Sequence, residues 1–107
     1  MAPVRMGITC SAAAADVLKF LEAGAGLSYR ARPAAGMSNT VILSTGAPPF
    51  SEGETIEVSV IAQSKGCEVL FRGARVHPLS ETADPKGATV RVVRAIADRF
   101  GPVTQLG

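Results

Sequence analysis

The sequence predicts a single two-layer α+β domain, in which a mainly antiparallel five-stranded sheet carries two helices on one face in the order β-α-β-β-β-β-α. Three observations predict it. A stripe of helical period follows a short β-prone run near the start, alternating runs punctuated by Gly and Pro fill the middle, and a second helical stripe lies near the end. At 107 residues the chain can bury one core but is too short for two domains of ordinary size, so 1–107 is read as one domain.

Residues 4–9 are the opening β-prone run. Ser11 is read as the N-cap of the helix that follows, because its hydroxyl can accept an otherwise unpaired backbone N–H. Across residues 12–23, Ala14, Val17, Leu18 and Leu21 form one apolar stripe at helical spacing. Phe20 widens it, and Asp16, Lys19 and Glu22 lie outside. Gly24 is placed to end this helix in a left-handed conformation.

Leu27, Tyr29 and Ala31 then alternate with Ser28, Arg30 and Arg32, which predicts a half-buried strand that Pro33 stops. Residues 36–39 read as a turn, 40–45 as the next strand, and 46–53, with two prolines and two glycines, as a loop. The clearest strand sets Ile56, Val58, Val60 and Ala62 against Glu57, Ser59, Ile61 and Gln63. Ser64, Lys65 and Gly66 turn the chain, and residues 67–76 return as its partner. Residues 78–87 form a polar connection in which Asp84-Pro85 is a helix-start or turn signal.

In residues 88–100 two signals compete. Val90, Val92 and Val93 favour a strand by propensity. Val93, Ile96, Ala97 and Phe100 repeat at helical spacing, with Arg91, Arg94, Asp98 and Arg99 opposite and Gly101-Pro102 as a stop. Period and punctuation outweigh propensity, so a helix is predicted. Residues 101–107 are read as a loose tail.

This order resembles the TATA-box-binding-protein-like fold and its larger relatives, the helix-grip proteins of the birch-pollen-allergen type. Residues 4–9, running into Ser11, the alanines 12–15, Asp16 and Phe20, look like the opening strand and helix of a helix-grip domain; residues 89–100 look like its closing helix. The resemblance implies helices packed on one side of an antiparallel sheet. Fewer strands and a shorter closing helix argue against a large internal ligand cavity.

Composition narrows the function. Eleven Lys and Arg against nine Asp and Glu give a formal charge of +2, and the charges are mixed along the chain, which argues against nucleic acid. Four Phe, one Tyr and no Trp leave few large aromatic anchors for a partner. No segment approaches the roughly 20 apolar residues that span a bilayer. Nothing after Arg5 has signal-peptide length, so the reading is a cytoplasmic protein without a membrane partner. Cys10 and Cys67 form no CxxC pattern and are read as buried free thiols, with a single disulfide as the alternative.

Catalytic signatures are missing from the sequence. There is no GxGxxG, no GxxxxGK[ST] and no GxSxG, and His77 is the only histidine, so no metal and no cofactor is expected. His77 reads as a loop residue; paired with a carboxylate it would be the centre of a small enzyme, the first alternative. Glu52, Glu54 and Glu57 gather about the 46–53 loop and read as solvated. Arg30, Arg32 and Arg72 are the polar set of most interest: converging, they would bind an anion or a single strand of nucleic acid, the second alternative. Glu57 and Glu68 are expected on the same face, which favours cross-strand ion pairs. The leading reading is a non-enzymatic binding or interaction module for an unidentified ligand or protein. Its contact surface is the loop carrying Phe50 or the outer sheet face carrying Ile42, Ile61 and Leu70, and the latter suits a homodimer.

Overall fold

The computed structural model describes residues 3–46, 53–77 and 82–106. They form β1 (Val4–Cys10), α1 (Ala14–Glu22), β2 (Arg30–Ala34), β3 (Met37–Ser44), β4 (Glu54–Ala62), β5 (Cys67–Arg75), α2 (Pro85–Phe100) and β6 (Thr104–Gln105). All strands join one antiparallel sheet in the order β2-β3-β4-β5-β1-β6. The fold is α+β with two helices on a sheet, and the sheet has six strands rather than the expected five. The sixth comes from residues expected as a loose tail. After α2, Gly101 at φ 99° turns the chain back, and Thr104 and Gln105 pair with Thr9 and Ile8. Leu106 N then donates to Gly7 O at 2.8 Å, so the outer edge of β1 is partly satisfied.

One alternation of the sheet is buried. Ile8 and Cys10 of β1, Val41 and Leu43 of β3, Ile56, Val58 and Val60 of β4, and Cys67, Val69 and Phe71 of β5 form a single core with Val17 and Leu21 of α1 and Ala88, Val92 and Ile96 of α2. Leu18 and Val93 pack against this core as half-buried residues. Phe20 of α1 and Phe100 of α2 meet edge to face, with ring centroids 5.4 Å apart.

The helix ends show why the elements stop where they do. In α1, Gly24 N donates to Leu21 O and Ala25 N to Phe20 O, with Gly24 at φ 90° and Ala25 buried behind it. This is the Schellman arrangement that the glycine foreshadows. The expected start is corrected: Ala13, not Ser11, is the N-cap, and no side chain caps the helix. Gly66 is packed so tightly against the Cys10 carbonyl and Ser11 Cα that residues 10 and 11 are still completing the strand crossing. In α2, Asp84 Oδ1 accepts from Gly87 N at 3.0 Å and Pro85 occupies the first turn, so the helix begins earlier than residue 88.

Two further expectations are revised. Pro33 does not stop β2 but lies within it, opposite Val41, beside a register shift at Pro33/Ala34. An edge strand tolerates proline because its outward side needs no donor. The buried stripe of α2 is Ala88, Thr89, Val92 and Ile96, rather than Val93, Ile96, Ala97 and Phe100. Gly73 of β5 explains the rotation: a Cβ there would run into Thr89 Oγ1 and lie 3.1 Å from Pro85 O, so its absence lets this side of α2 come close. Thr89 is buried at no polar cost, since its hydroxyl donates to Pro85 O at 2.7 Å.

Candidate functional site

The register fixes what the second alternation of the sheet presents. Across the strands runs the row Arg5, Arg72, Glu57, Ile42 and Arg32, each residue directly opposite the next. The neighbouring row is Gly7, Leu70, Ser59 and Thr40, and beyond it come Thr9, Glu68 and Ile61. Ile61 and Leu70 are each 38% exposed, and Ile42 is half-buried. The expected alternation of Ile42, Ile61 and Leu70 away from the core therefore holds.

Gly7 shapes the middle of this face. A Cβ built there would lie 3.2 Å from both Leu70 and Leu106, so these side chains close over the glycine from two sides. Leu106 is 36% exposed and adds a third exposed aliphatic group to the patch. The sequence reading passed over it because a residue assigned to a tail has no face. Beside the patch, Arg5, Glu57, Ser59 and Arg72 help line a shallow hollow of about 250 Å³. Thr40 is buried on this face, and its hydroxyl shares a 2.9 Å hydrogen bond with the Ser59 hydroxyl.

The expected trio of arginines does not converge. Arg32 and Arg72 share a row but stand three strand spacings apart, roughly 14 Å. Arg30 instead donates from Nη2 to Gly46 O at 3.2 Å. The cation next to Arg72 is Arg5, directly opposite on β1, with Glu57 on the other side. Two like charges face to face disfavour one another, and Glu57 offsets only part of that. Phe50 and Glu52 lie outside the described residues. His77 follows β5 and is exposed.

A second polar cluster gathers at the start of α2. Glu54 is only 7% exposed, where a solvated loop carboxylate was expected. Its Oε1 accepts from Thr45 Oγ1 at 3.0 Å and its Oε2 from Asp84 N at 3.2 Å, so one carboxylate ties the end of β3 to the cap of α2. Extending the alternation of Ile56 and Val58 back by one step places residue 54 in the buried set, and that was the available signal. Nearby, Arg91 Nε donates to Tyr29 Oη at 2.9 Å, which raises the guanidinium above its ordinary range. Tyr29, Thr45, Glu54 and Arg91 help line a cleft of about 380 Å³. With both Glu54 oxygens holding the protein's own donors, this cluster serves as a structural tie.

Cys10 and Cys67 are both free and buried, as expected, and they face each other across β1 and β5. Among the described residues, no three His, Cys, Asp or Glu side chains gather to hold a metal ion. Among the same residues, no helix is long and apolar enough to cross a membrane. Comparisons with protein-family models, with curated proteins and with solved structures found no match.

Proposed function

We propose that the chain is a non-enzymatic interaction module that self-associates through the second face of its sheet. One observation carries this reading: Ile61, Leu70 and Leu106 stay exposed among small polar and charged residues on a face to which neither helix contributes a core residue. Both helices lie on the opposite face, which accounts for their shared core and for the Phe20–Phe100 contact. The layering is that of a TATA-box-binding-protein-like domain with an added edge strand.

The edges are poor alternatives for pairing. β2 carries Pro33, a register shift beside it and the exposed Arg30 and Arg32, all features that discourage strand addition, and β6 is two residues long. Face packing is favoured instead. In a six-stranded order of β2-β3-β4-β5-β1-β6, the midline falls between β4 and β5. A two-fold axis along that midline sets Arg72 of one copy over Glu57 of the other, twice, and brings the excess charge at Arg5 over the partner's Ile42 rather than over another cation. That reciprocity favours a second copy of this chain as the occupant.

Light scattering at micromolar concentration tests the proposal. A dimer mass that falls to a monomer mass in Ile61→Glu or Leu70→Glu is expected; a wild-type monomer mass removes it. A second reading rests on the charge of the face, where Arg5, Arg30, Arg32 and Arg72 outnumber Glu57 and Glu68. A monomer that binds a small polyanion, with affinity lost in Arg5→Ala and Arg72→Ala, would favour that reading.

A further inference from the structure

We propose that Cys10 and Cys67 form a reversible cross-strand disulfide under peroxide, fastening β1 to β5 as a redox-responsive lock. This inference stands on the opposite face of the sheet from the self-association surface and does not depend on it. The two cysteines are the last rung of the β1–β5 ladder and stand directly opposite each other in register, both buried. Directly opposed residues of an antiparallel pair have Cα atoms about 4.5–5.5 Å apart, inside the range of about 4.4–6.8 Å that a disulfide spans. No strand has to move far for the bond to form.

Access selects the oxidant. Cys10 is 4% exposed and Cys67 1%, and Gly66 packs its turn against the Cys10 carbonyl. A small oxidant such as hydrogen peroxide suits this site better than a bulky disulfide. Burial and the neighbouring Cys10 push the Cys67 thiol up to about 11, so Cys67 is held protonated and reacts second. The Cys10 sulfur attacks one peroxide oxygen, the O–O bond breaks, water leaves and Cys10 becomes a sulfenic acid. The Cys67 sulfur then displaces that oxygen as a second water, taking its own proton with it, and the S–S bond closes. Two thiols lose two protons and two electrons, and one peroxide becomes two waters.

The full chain is exposed to hydrogen peroxide and followed by intact mass, thiol counting after denaturation and thermal melting. The expected result is loss of two hydrogens, loss of both thiols, a peptide joining residues 10 and 67, and a melting midpoint raised by several degrees through the long closed loop. Dithiothreitol restores the starting mass. In Cys67→Ala, Cys10 accumulates as a sulfenic acid that dimedone traps. Two intact thiols after peroxide, sulfinic acid on one cysteine beside a free thiol on the other, or a disulfide between two chains overturns the proposal, as does a lowered melting midpoint.

Discussion

At the residue scale, two glycines separate backbone strain from crowding. Gly36 and Gly66 both have positive φ, 74° and 83°. A Cβ at Gly36 would meet nothing within 4 Å, whereas one at Gly66 would run into the Cys10 carbonyl oxygen and lie 2.9 Å from Ser11 Cα. Gly36→Ala is therefore expected to cost about 1–2 kcal/mol for the left-handed conformation alone. Gly66→Ala is expected to exceed it by a further 1 kcal/mol or more, roughly the penalty of overpacking, and urea unfolding of the pair measures the difference. Cys67 gives a pH dependence at the same scale. Burial raises its thiol from 9.0 to about 11, with Cys10 as the titratable group facing it. The unfolded chain releases this proton first, so the folded state holds more protons between the two values. Its contribution to stability is present below pH 9 and lost as pH rises toward about 11. Chemical unfolding at pH 8 and pH 10.5 should show a fall that is smaller in Cys67→Ala; equal falls in both chains would assign the effect elsewhere. The burial of Cys67 was legible from its alternation with Val69 and Phe71. Its partner was not, because a strand pattern carries no information on which strand lies alongside.

At the scale of elements, legibility followed the range of the signal. Gly24 and Asp84-Pro85 act within a few residues of themselves: Gly24 ends α1 as expected, and Asp84-Pro85, read as a helix-start or turn signal, starts α2 at residue 85, ahead of the expected 88. Ser11 failed for the opposite reason: the tight approach of Gly66, 55 positions away, fixes residues 10 and 11 in the crossing. The rotation of α2 likewise depends on Gly73, a residue of another element with nothing in the helix sequence to announce it. Within α2 the expected consequences are definite. Asp84→Ala removes the 3.0 Å bond to Gly87 N and should cost about 0.5–2 kcal/mol, as loss of a helix cap generally does. Ile96→Ala and Leu21→Ala each empty a fully buried site and should cost on the order of 2–5 kcal/mol. Thermal or urea unfolding checks all three, and near-neutral values for both aliphatic truncations would contradict the packing of the two helices on the sheet.

At the scale of the whole molecule, the outer face was read from alternation alone, and Ile42, Ile61 and Leu70 fell where that alternation put them. Leu106 and Arg5 were missed because each reaches the face through a pairing between distant parts of the chain, β6 with β1 and β1 with β5. Arg5 changes the electrostatics, since it leaves Arg72 flanked by a cation on one side and by Glu57 on the other. The proposed two-fold axis resolves that imbalance by pairing each Arg72 with the Glu57 of the other copy, and it makes a prediction that apolar contact alone does not. Arg72→Glu puts two carboxylates into each reciprocal contact and should weaken the dimer at least tenfold, equivalent to about 1.4 kcal/mol. Glu57→Arg adds a fourth cation to the row and should do the same. Combining the two exchanges the charges, rebuilds both contacts under the same symmetry and should recover most of the affinity. Within one chain the swap leaves a cross-strand pair of opposite charges in place, so melting of the monomer at low concentration serves as the control. Dissociation constants from sedimentation at several ionic strengths decide the matter. Recovery in the double variant, weakened by added salt, supports the axis between β4 and β5; affinities that ignore both charges would place any dimer contact elsewhere on the molecule.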